Sequence, residues 1–328
     1  MRKRNNKGYL ILFLAVFAAI IVVTAVVISN FGVISDFIVG MHYQPSSEMA
    51  QIRTDLELTG KGASIFNASQ PELMERVNFN QKCREVENEA AILGCYTEGQ
   101  IYVYDVSLEE LAGIRELATA HELLHAVYAR MSQDERAKLS ASLTQVLEGN
   151  RDLLGAEIES YPDEQRQEEL YVRAGTEIRD LPADLEAHYA EIFANQDKIA
   201  DFYESYIAVF RGIERKLKSL FAEIQSLQNE IGAKTSEYES GVASLNARIA
   251  EFNECAKTLN CFASVAVFNS QRAGLLNEQQ NLKAAYTEIS TLVSKYNALV
   301  NEYNENVLHG QTLNMEINSS VNVEEVVD

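Results

Sequence analysis

The chain has 328 residues, 47% of them hydrophobic and 23% charged, which suffices to bury a core and excludes wholesale disorder. Its 48 acidic against 28 basic residues give a net charge of −20. That balance argues against nucleic acid as a partner, because phosphate neutralisation needs clustered basic surface.

Residues 1–30 read as a cytoplasmic basic tail and a transmembrane anchor. Arg2, Lys3, Arg4 and Lys7 precede an uncharged run over residues 9–29, long enough to cross a bilayer as a helix. No short apolar region with a small-residue cleavage site marks a secretory signal peptide. The positive-inside rule then puts the N-terminus in the cytoplasm and everything beyond residue 30 outside a single-pass cell membrane. Residues 31–60 come next as a juxtamembrane connector, with short elements at 64–66 and 71–77.

From Ala91 the pattern sharpens into Ala-Ile-Leu-Gly-Cys-Tyr, the turn Thr97-Glu-Gly-Gln100, and Ile101-Tyr-Val-Tyr-Asp105. Two runs rich in β-branched and aromatic residues around a Gly-containing turn predict a β-hairpin. Cys83 and Cys95 form one close cysteine pair, and Cys255 and Cys261 form a second. An even count at short separations fits two disulfides in an oxidising compartment, and the absence of CxxC spacing argues against structural zinc.

Ser107-Leu-Glu-Glu110 has the form of a capping box, predicting a helix over about residues 108–131, and Ser132-Gln-Asp-Glu135 repeats the signature for a second helix. Within the first lies His121-Glu-Leu-Leu-His125. Residues four apart share one helix face, so both imidazoles can reach a single zinc ion. Glu122 then projects toward the zinc's water, where a carboxylate serves as general base in peptide hydrolysis. The two histidines continue the apolar stripe of Leu111, Ile114 and Ala118, with Tyr128 beyond, so they face the interior. Further helices are expected over 163–178 and 182–193, with Gly175 and Pro182 as punctuation.

This motif, with a strand ahead of it, resembles the zincin superfamily of zinc metallopeptidases. The resemblance covers about a third of the chain and implies that residues 101–105 form an exposed edge strand that binds substrate as an added strand. The extended form HExxHxxGxxH is absent, since Tyr128 and Met131 stand where its Gly and third His would be. The gluzincin branch takes its third ligand from a Glu on a later helix. Glu169, with a Gly some residues on, and Glu177, after Gly175 and Thr176, are the candidates, Glu169 the preferred one; His188 is a weaker third. Zincins also stabilise the oxyanion with a Tyr or His, and Tyr161 is the first candidate here, with Tyr171 and Tyr189 as others.

From about residue 201 the chain changes character. Ile213, Leu217, Leu220, Ile224 and Leu227 begin a four-and-three spacing that continues to Phe252, and a second run extends from Leu275 to Val307. Two such arms predict an antiparallel coiled-coil hairpin over 201–310, about 55–60 Å long at helical rise. Cys255 and Cys261 would pin its tip, where Phe262, Val265, Val267 and Phe268 either fold back or meet a protein partner. Residues 311–328 are acidic, aperiodic and expected to be disordered.

The expected fold class is α+β, mainly α: an N-terminal transmembrane helix, a zincin-like domain at 61–200 with a short sheet and active-site helix, then the hairpin. The function expected is that of a membrane-anchored, extracytoplasmic zinc metallopeptidase acting on a protein or peptide. Two alternatives stand beside it: an inactive surface scaffold or adhesion protein working through its coiled coil, and a hydrolase of cell-wall peptide cross-links.

Overall fold

The structure is a computed structural model describing residues 31–83 and 93–319. It opens with three helices, α1 (Phe31–His42), α2 (Ser47–Asp55) and α3 (Gly60–Ala68). Hydroxyl caps start two of them: Ser46 accepts from the Met49 amide and Thr59 from the Gly62 amide, relieving orphan donors of the first turn. Residues 31–60 are therefore no mere connector. Met49, Ile52 and Leu56, spaced three and four apart, form a narrow stripe that is buried in the core.

The expected single-pass membrane location is corrected. Among the described residues no helix is long and apolar enough to cross a membrane, and the run over residues 9–29 that suggested the anchor lies outside them. Among the described residues single-pass membrane anchoring finds no support.

A small sheet comes next, from β1 (Glu72–Met74), β2 (Gly94–Thr97) and β3 (Gln100–Tyr104), with helix α4 (Arg76–Lys82) after β1. β2 and β3 form the predicted antiparallel hairpin, Cys95 opposite Tyr102. Its two-residue turn puts both Glu98 (φ 52°) and Gly99 (φ 81°) in the left-handed region, the twist that suits a tight hairpin. β1 pairs parallel to the far side of β3, so the order is β1-β3-β2. That corrects the expected edge strand: β3 is central and largely buried, and β2 is at the edge. The Cys83–Cys95 disulfide ties the end of α4 to β2, as expected.

Helix α5 (Ile114–Arg130) begins later than Ser107 predicts. A 3₁₀ turn at Glu109–Leu111 intervenes without a side-chain cap, and Gly113, at φ 94°, turns the chain into the helix. A Cβ there would lie 2.8 Å from the Phe202 ring, a second reason for glycine. The second capping box forms as predicted: Ser132 and Glu135 bond reciprocally at the start of α6 (Gln133–Gly149). Beyond it come α7 (Arg151–Ser160), α8 (Asp163–Glu177) and α9 (Ala183–Tyr189). α5 packs against β2 and β3 and against α8, with Leu123, Leu124, Tyr171, Val172 and Tyr189 in the core between.

The described residues divide into two units, the second being Phe210–Leu313. The chain enters it along α10 (Gln196–Lys257) and leaves along α11 (Val265–Ile317). Within it the ion pairs Lys216–Glu302 at 2.6 Å, Lys234–Glu288 at 2.8 Å and Arg248–Glu278 run in opposite sequence directions, so the arms are antiparallel. Leu220, Leu227 and Leu245 are buried along the seam. At the tip the Cys255–Cys261 disulfide forms, and the Phe252, Phe262 and Phe268 rings meet with centroids 5.1–5.2 Å apart. Val265 and Leu259 stay exposed there.

The tail from 311 was expected to be disordered, yet α11 runs to Ile317, which is buried. Arg76 donates to the Met315 carbonyl at 3.0 Å and Asn80 to that of Ser319 at 2.5 Å. These contacts to the α4 region, invisible to helical periodicity, hold residues 314–319 to the first unit. Residues 320–328 lie outside the described part.

Candidate metal centre

α5 places His121 and His125 on one face, rings 5.1 Å apart, and α8 brings Glu169 across to them. Its Oε1 stands 3.7 Å from His121 Nε2 and its Oε2 3.5 Å from His125 Nε2. These separations are long for hydrogen bonds. Two atoms each about 2.0–2.1 Å from a tetrahedral ion stand about 3.3–3.4 Å apart, so the spacing fits three donors turned toward one cation. His121, His125 and Glu169 form a group that can hold a metal ion, their donor atoms within 4.8 Å of one another. The Glu169 side chain is 4% exposed, a burial that a carboxylate tolerates only with a strong counter-charge.

Close helix approach makes this possible. Gly175 of α8 faces Leu124 of α5, and a Cβ there would fall 2.6 Å from Leu124 Cδ1 and from Tyr189 Cε1. Around the donors a second layer of contacts fixes orientation. His125 Nδ1 donates to Glu168 Oε1 at 2.9 Å, leaving Nε2 directed at Glu169. Arg173, one turn beyond Glu169, donates from Nε to its Oε1 at 2.8 Å, from Nη1 to Glu177 Oε1 at 3.0 Å, and also pairs with Glu157.

Burial pushes the His121 pKa down to about 3, despite the pull of Glu169; the ring is neutral, the ligating form. For His125 burial also opposes charge, but the hydrogen bond to Glu168 and the attraction of the Glu169 and Glu122 carboxylates prevail and raise it to about 10. Burial would raise Glu169, yet His121, His125 and Arg173 outweigh it and hold the carboxylate at about 2. Glu177 is lifted by burial to about 7, against the opposing pull of Arg173.

Glu122 is 6% exposed and rests against the edge strand: a Cβ on Gly94 would come 2.6 Å from its Cγ and 2.7 Å from its Oε1. Two cavities flank this carboxylate and share Gly94, His121, Glu122 and Tyr161. One, about 220 Å³, reaches His125, Glu168 and Glu169. The other, about 480 Å³, extends toward Arg173 and Glu177.

Of the residues singled out in the sequence, the structure brings together His121, Glu122, His125, Glu169 and Tyr161. Glu177 stands apart from the donor group, on Arg173. His188 is elsewhere, its Nε2 2.9 Å from the Tyr171 hydroxyl, and Tyr189 donates to the Tyr171 carbonyl at 2.6 Å, so those two tyrosines are core residues. Sequence reasoning missed Glu168, Arg173 and Gly94. A signal existed for Arg173, which lies four residues from both Glu169 and Glu177, the spacing of helical ion pairs. No family model matches this chain, and no characterised protein or solved structure matches it either.

Proposed function

We propose that the protein is a zinc-dependent peptidase with His121, His125 and Glu169 as ligands and Glu122 as general base. The observation that carries this reading is the convergence of the three donors within 4.8 Å beside a buried carboxylate on the same helix. Two imidazoles and one carboxylate suit zinc. When bound, the ion supplies a Lewis acid that acidifies water and polarises a carbonyl.

The chain's own residues do the rest. Glu122, held against Gly94, takes a proton from the attacking water and delivers it to the departing amine. Tyr161 lines both cavities, and its hydroxyl is the group assigned to the developing oxyanion. Substrate backbone pairs with the outer edge of β2, whose Gly94, Cys95 and Tyr96 line the smaller cavity. A cell-wall peptide and a protein would be cut by the same machinery, so assays on both classes separate them.

The test uses the full chain. It should carry about one zinc per molecule and hydrolyse an unfolded protein substrate, and Glu122→Gln should keep the zinc while losing about 10²–10⁴-fold in rate. Failure to take up zinc, or undiminished hydrolysis in Glu122→Gln, overturns the reading.

A second reading, a scaffold acting through the hairpin, draws on the tip, where Leu259 is 93% and Val265 75% exposed. It requires binding that survives Glu122→Gln.

A further inference from the structure

We propose that Glu177 is a specificity-determining residue: the larger cavity takes the side chain of a substrate residue next to the scissile bond, and the buried Glu177 carboxylate selects lysine or arginine there. The inference rests on the peptidase reading above and adds to it the class of substrate.

The cavity opens directly from the reacting face, since His121, Glu122 and Tyr161 form part of its wall. Its volume, about 480 Å³, accommodates a long side chain. Leu117, Ala118 and Ile207 supply apolar lining for a methylene stem. Deeper in stands Glu177, its side chain 7% exposed. Oε1 is engaged by Arg173 at 3.0 Å and Tyr203 of the same wall also acts on the carboxylate, whereas Oε2 is buried with no hydrogen-bond partner. A buried carboxylate oxygen without a donor is costly and uncommon in a native structure.

Arg173 cannot turn to meet it, because the same guanidinium also grips Glu169 and Glu157. The cavity wall holds three carboxylates, Glu122, Glu157 and Glu177, against Arg173. An acidic substrate side chain entering there meets like charge, and an apolar one leaves Oε2 unsatisfied. A long stem with a cationic, donating end matches both the walls and the charge. Burial is what lifts the Glu177 pKa, and a cation bound beside the carboxylate would lower it again.

The experiment measures kcat/KM of the zinc-loaded full chain on matched peptides carrying lysine, norleucine or glutamate at each position flanking the cleaved bond. Lysine should exceed norleucine by about 10-fold or more at one position, with glutamate worst. Glu177→Gln should shrink the lysine-to-norleucine ratio to within about threefold, and Glu177→Lys should favour glutamate over lysine. Zinc content of each variant checks that it has folded. A wild-type ratio near one at every position overturns the inference while leaving the peptidase reading intact; a ratio unchanged in folded Glu177→Gln does the same. A wild-type chain that takes up zinc yet cleaves none of the peptides, or takes up no zinc, overturns both.

Discussion

In the unit built on α5 and α8, Leu123, Leu124, Tyr171 and Tyr189 have no exposed surface, and they come from segments far apart in the chain. The hairpin of α10 and α11 instead buries a line of leucines, Leu220, Leu227 and Leu245, supported by ion pairs whose side chains are about one-third to one-half exposed in most members. A seam of this kind repeats one local rule and can be lengthened without limit. It holds helices together but offers little that would fix a reacting group. Close-packed contacts among distant segments are what hold His121, His125 and Glu169 in mutual reach.

Truncating one leucine in each unit tests that difference. Leu124→Ala, at 0% exposure beside Gly175, should cost about 2–5 kcal/mol in chemical denaturation and loosen metal binding. Leu227→Ala, at 6% exposure in the seam, should cost at the low end of that range and leave metal binding alone; equal effects on the metal would break the comparison.

Gly94→Ala asks the same question of function. The added methyl must displace the Glu122 carboxylate, so kcat/KM should fall about 10²-fold with zinc retained. A fall below threefold would mean that β2 shifts instead.

The smallest of these effects is expected from Glu168→Gln, which weakens the hydrogen bond orienting His125. Zinc affinity, measured by competition with a chelator, should drop about 10-fold, the low end for such outer contacts.

Legibility from the residues alone divides along the same line. Heptad spacing, the Ser132 capping box, both cysteine pairs and the Glu98-Gly99 turn are local patterns, and each appears in the structure where its residues stand. His121 and His125 were legible because one helix carries both. Glu169 was one of two glutamates until α8 was seen against α5. Strand order was not legible at all: β3 becomes central only because β1, a three-residue strand with little pattern of its own, pairs with it. Helix α2 was missed because its apolar stripe is three residues within a polar segment, and the end of α11 because its partners, Arg76 and Asn80, lie more than two hundred residues earlier.

Arg173 has a consequence for how the centre and the larger cavity behave together. One rigid, planar guanidinium holds Glu169 through Nε and Glu177 through Nη1, so the two carboxylates share a single counter-ion of fixed shape. A displacement at either end is felt at the other as a tilt of the same plane. If a substrate cation binds at Glu177 and a metal ion at His121, His125 and Glu169, as proposed, the shared guanidinium links the two, and by reciprocity each then alters the affinity of the other by the same factor.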